Sequence, residues 1–109
     1  IVNICDSVFS GCLNLTAITL PKGMRKIGFW AFLHCGNLEY VYIPKSVRTI
    51  ESSAFSNCFK LVIHAPAGSY AEQYAKENNI QIIADYKIDS PIQIAEDDLY
   101  QIIFKIYSF

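Results

Sequence analysis

The chain has 109 residues, 52% of them hydrophobic and 17% charged, with a formal net charge of -1; that balance supplies one small core and excludes disorder. Residues 1–84 carry seven basic and five acidic side chains and residues 85–109 two and five, so the dense cationic clustering that nucleic acid requires is missing. No apolar run approaches the ~20 residues that cross a bilayer and no basic-then-apolar leader opens the sequence, which argues against membrane insertion.

The elements are organised by a period of 23 residues, seen in the columns Ile4/Ile27/Ile50, Phe9/Phe32/Phe55, Cys12/Cys35/Cys58 and Leu15/Leu38/Leu61. Shorter columns keep the same step: Pro21 with Pro44, Lys22 with Lys45, Met24 with Val47, Arg25 with Arg48 and Ala31 with Ala54. Each unit reads I-x-x-x-A-F-x-x-C-x-x-L-x-x-I-x-[LI]-P-x-x-[MV]. Its apolar positions are too irregular for one helix and too widely spaced for one strand, so they predict a coil that turns back on itself. Leu15, Ile18 and Leu20, then Leu38, Val41 and Ile43, point inward from strands that a proline ends. Stacked coils place those strands in a parallel sheet on one face. The Ala-Phe pair and the Cys fill the core from a short helical or turn-like return segment. Ile1 enters partway through a unit, so further coils are expected upstream.

These repeats occupy residues 1–66. Leu61 to Pro66 aligns with Leu38 to Pro44 only if one residue is deleted, which marks the end of the array. A closing unit over residues 67–84 follows. Ser69 predicts an N-cap, Tyr70 to Asn79 a helix of two to three turns, and Asn78 or Asn79 its left-handed end. Ala71, Tyr74 and Ala75 share the face that would cover the last coil, and Ile80, Ile82 and Ile83 predict a final strand. Residues 85–109 form an acidic and apolar tail. Ser90-Pro91 followed by Ala95, Leu99, Ile102, Ile103 and Ile106 fits an amphipathic helix, while Tyr100 to Phe109 also has strand character. The tail is either native or an added segment, and its apolar run, like the uncovered first coil, offers a route to self-association.

The motif Ala31-Phe32-Leu33-His34-Cys35-Gly36-Asn37-Leu38 with Val41-Tyr42-Ile43-Pro44 resembles the BspA-type leucine-rich repeats of bacterial and protist surface proteins. The G-S-Y-A-x-x-Y-A element is similar to the unit that closes such arrays, and the resemblance covers about residues 1 to 84. It implies an α/β solenoid, here with a 23-residue period, a parallel sheet on one face and a capping helix. It also implies a cell-surface or secreted location and a role in adhesion.

Chemical sites find little support in the residues. A period of 23 stacks Cys12, Cys35 and Cys58 in a row instead of converging them on a tetrahedral metal, so free buried thiols are expected. Cys5 shares its column with Gly28 and Glu51 and is the most reactive candidate. His34 and His64 stand without a triad pattern, and no phosphate-cradling loop or carboxylate pair is present. Asn14-Leu15-Thr16 is a glycosylation sequon that matters only in a secreted eukaryotic protein. No catalytic residue, metal or cofactor is expected, and the chain is read as a non-enzyme.

Alternation along the strands sends Ala17, Thr19, Tyr40 and Tyr42 outward, and Val62 and His64 extend their columns once the deletion is allowed for. Ala17, Tyr40 and Val62 beside Thr19, Tyr42 and His64 form the candidate partner-binding surface, with the two tyrosines as anchors for a protein or glycan ligand. The competing reading is a structural spacer or terminal cap of a multidomain surface protein, with the tyrosines only shielding the sheet. The ridge of Lys22, Arg25, Lys26, Lys45 and Arg48 is a second candidate, weighed against an ordinary solvated turn.

Overall fold

The structure, a computed structural model, describes residues 3–84; the tail from residue 85, with its helix or strand reading, lies outside them. Three coils stack so that corresponding segments pair side by side. The outer sheet consists of β2 (Ala17–Thr19), β4 (Tyr40–Tyr42), β6 (Val62–Ala65) and β7 (Gln81–Ala84), after β1 (Asn3–Ile4), β3 (Lys26–Ile27) and β5 (Thr49–Ile50) are set aside as a second sheet. Every pairing is parallel. Strands of the outer sheet are short because Pro21 and Pro44, which carry no backbone N–H, follow within two residues of β2 and β4. Their inward residues Ile18, Val41 and Ile63 are buried, and β-branching suits them to the pleat.

The second sheet, β1-β3-β5, was not anticipated from the sequence. Its strands are two residues long, too short to display alternation, and only the Ile4/Ile27/Ile50 column advertised them. Between the two sheets the return segments are turns, not helices, and they hydrogen-bond from coil to coil: Phe9 N donates to Ala31 O at 2.8 Å and Phe32 N to Ala54 O at 2.7 Å. A corresponding position in all three turns takes a left-handed backbone, Gly11 at φ 73°, His34 at 59° and Asn57 at 62°, and Ser7 and Trp30 take it at a second position in the first two turns. Glycine adopts that region freely and Asn and His enter it more readily than most residues, so one conformation is kept through three side chains.

Phe9, Phe32 and Phe55 stack through the core with centroids 5.0 Å apart and planes within 7°. That spacing is close to the separation of neighbouring strands, so the rings inherit the step of the solenoid. The thiols run parallel to them: Cys35 Sγ donates to Phe9 O at 3.0 Å and Cys58 Sγ to Phe32 O at 2.9 Å. Each therefore fills a small core position and satisfies a carbonyl of the preceding coil.

The helix α1 (Tyr70–Glu77) closes the stack. The Ser69 side chain accepts from Glu72 N at 3.2 Å, Glu72 Oε1 accepts from Gly68 N at 2.7 Å, and Asn79 ends the helix at φ 57°. The backbone bond from Gly68, with Lys76 beside it, holds the Glu72 carboxyl below the usual range. Ala71, Tyr74 and Ala75 are buried, and Tyr74 carries the phenylalanine column one step further, its ring 6.2 Å from that of Phe55. Its hydroxyl donates to the carbonyls of Glu51 and Ser52, and burial pushes that hydroxyl's pKa up. The helix thus supplies a hydrogen-bond donor as well as apolar area to the last coil.

Candidate functional site

The register of the outer sheet assembles the expected columns. Ala17 pairs with Tyr40 and Tyr40 with Val62; Thr19 pairs with Tyr42 and Tyr42 with His64. The deletion read from the sequence lies between β4 and β6, and it leaves the in/out alternation intact. Ala17 is exposed, and Thr19, Tyr40, Val62 and His64 are half-buried. Tyr42 departs from expectation. It stands in the middle of its column between Thr19 and His64 and keeps only 1% of its surface, so it is not a solvent-facing anchor.

The remaining anchor is a pair. Tyr40 and His64, diagonal neighbours on adjacent strands, bring their rings to 4.4 Å at a tilt of 38°. Burial lowers the His64 pKa below its ordinary value, which favours the neutral imidazole. The last strand widens the surface: Gln81 continues the column of Val62, and Ile83, 51% exposed, that of His64. The sequence predicts this strand but not its register, because the step from Val62 to Gln81 is shorter than the repeat. A second exposed aromatic site also escaped notice. Phe29 and Trp30 lie 5.8 Å apart, Trp30 in the left-handed region at φ 55°. Their column mates are Asp6, Ser7, Ser52 and Ser53, and this break in repeat identity is the signal that would have marked them.

Cys12, Cys35 and Cys58 are free thiols in or beside the core, and Cys5 is free and exposed. Its contact with Cys58 and its burial push the Cys35 pKa up, which keeps it a thiol. Among the described residues no group of three or more His, Cys, Asp or Glu side chains could hold a metal ion. His34 Nδ1 meets Asn57 Nδ2 at 3.0 Å, and no carboxylate or hydroxyl bonds to either histidine among the described residues. Lys22, Arg25, Lys26, Lys45 and Arg48 are all exposed, with Lys26 4.0 Å from Glu51. Asn14 is exposed in its turn.

Stacked coils of one period, paired in parallel and closed by a helix, define a leucine-rich-repeat solenoid. The family described as BspA type leucine rich repeat region matches residues 1–101 in six copies. The chain belongs to that family, and the match runs past residue 84, the limit read from the motifs. Among solved structures the chain is similar to a leucine rich cell surface protein from Faecalibacterium prausnitzii, with 40% identity and a TM-score of 0.60 over 68% of this chain. The chain spans 20% of that protein's length. A comparison with curated proteins found no match.

Proposed function

We propose that this chain is a non-catalytic interaction module of a larger cell-surface protein and that it binds a protein or glycan through its outer sheet face. The observation that carries this reading is the Tyr40–His64 ring pair, half-buried and in register with Ala17, Thr19 and Val62. A rigid sheet fixes these rings before a ligand arrives, so little side-chain entropy is lost on binding. Aromatic anchors surrounded by small residues are the usual centre of a protein-recognition surface. Ile83 adds apolar area at the closed end of the face. The likeness to a protein described as a cell surface protein supports the location. The family's repetitive architecture supports a role in adhesion and the absence of catalysis.

The test is to display the purified chain and its Tyr40→Ala and His64→Ala variants to a glycan array and a panel of immobilised extracellular proteins. Any ligand of this face should lose about tenfold in affinity to Tyr40→Ala, since a truncated anchor costs on the order of 1–2 kcal/mol. Equal binding by variant and parent chain on every positive probe would reject the face. An entirely blank panel would favour the spacer role.

A further inference from the structure

The closing helix does more than cover the last coil. It walls a cavity of about 580 Å³, and the opposite wall is the C-terminal end of the basic ridge. Lys45, Ser46 and Arg48 come from the turn after β4, and Ser69, Tyr70 and Gln73 from the start of α1. A space in this range suits a small organic molecule.

Among its described lining residues the cavity carries two cations and no carboxylate. The Arg48 guanidinium is exposed and makes no side-chain bond among the described residues. Two hydroxyls keep a hydrogen to give: that of Tyr70 accepts from Ile50 N at 3.4 Å, and that of Ser69 accepts from Glu72 N at 3.2 Å. Ser46 is already committed, donating to Met24 O at 2.6 Å. In the first turn of the helix Glu72 N is bonded to the Ser69 hydroxyl and Gln73 N to the Ser69 carbonyl, and Ser69 N itself bonds to Pro66 O. Side chains define the site: two cations, two hydroxyl donors and the face of a ring that is 38% exposed. An extended peptide fits it poorly, since the edge-strand amide it would need, Ile50 N, is already taken by Tyr70.

We propose that this cavity is a binding site for an acidic saccharide. The carboxylate pairs with Arg48, where charge-assisted bonds are strong and the guanidinium can engage both oxygens. The apolar face of the sugar ring lies on Tyr70, and its hydroxyls accept from Ser69 and Tyr70. The site is separate from the outer sheet face and does not depend on that reading.

The experiment is an NMR titration of the isotope-labelled chain with cellobiuronic acid and, in parallel, with cellobiose, which has the same rings without the carboxylate. The uronate should move the Arg48 Nε–H and the Ser69 and Tyr70 amides saturably, and cellobiose should bind about tenfold more weakly. Arg48→Gln should weaken the uronate about fivefold or more, and Lys60→Gln, on another turn, should leave it within about twofold. Unshifted amides of Ile18 and Val41 certify the fold of each variant. Equal response to the two sugars, no saturable response, or an Arg48→Gln chain that binds as before would each overturn the proposal. Tyr40→Ala separates the two sites: it should spare uronate binding while weakening ligands of the sheet face, and loss of the uronate with it would also overturn the cavity.

Discussion

The repeated coils and the closing unit solve the same problem by different means. Within the coils, each core residue packs on a copy of itself: Phe32 between Phe9 and Phe55, Ile27 between Ile4 and Ile50. Identical side chains at a constant step need no further selection of partner, and the pairing repeats for as long as the step does. The closing unit has no copy to pack on. There a helix with different residues inserts Tyr74 at the end of the phenylalanine column and returns hydrogen bonds to Glu51 and Ser52. A stack is therefore extended by similarity and ended by complementarity.

The largest expected effect tests the stack. Phe32 is fully buried between two rings, and Phe32→Ala should lower the unfolding free energy by about 3–5 kcal/mol in urea melts, through lost transfer energy and the cavity left behind. A loss below about 1 kcal/mol would show that the coils do not share one cooperative core. The closing unit should answer less strongly. Ser69→Ala removes the acceptor for Glu72 N and should cost about 1 kcal/mol by the same melts. If its cost equalled that of Phe32→Ala, the helix would be the foundation of the stack instead of its lid.

The smallest effect lies on the outer face. The folded chain lowers the His64 pKa by burial, so as pH falls through the ordinary histidine range the unfolded chain takes up a proton before the folded chain does. Stability is then fully present above about pH 6.5, declines as pH drops toward the folded pKa and levels below it. Melts of the parent chain and His64→Gln between about pH 8 and pH 5 should show this slope only in the parent. An identical slope in both would assign it to other groups.

Much of this was legible in the residues because a solenoid converts sequence distance into spatial adjacency. Four columns at one period named the core, and the deletion near Val62 correctly placed His64 beside Tyr42. Ser69 and Asn79 marked the ends of the helix. The second sheet was hidden because two-residue strands have no pattern to read. The pairing of Ile83 with His64 was hidden because the repeat had already ended. Gly28 shows the same limit: a Cβ there would run into the Asp6 carboxylate and backbone of the coil before it, although its column mates are Cys5 and Glu51.

The sequence by itself determined the period, the inward residues, the closing helix and the two outward columns, since all of these follow from local chemistry repeated at a fixed step. The tertiary structure decided which outward residues meet solvent. Tyr40 and Tyr42 share a strand, a face and a chemistry, yet one is half-buried against His64 and the other is sealed. It also decided that Lys45 and Arg48, one turn of a ridge in the sequence, become the wall of a cavity. Exposure and concavity depend on what every neighbouring element contributes, and no periodicity within one segment records that.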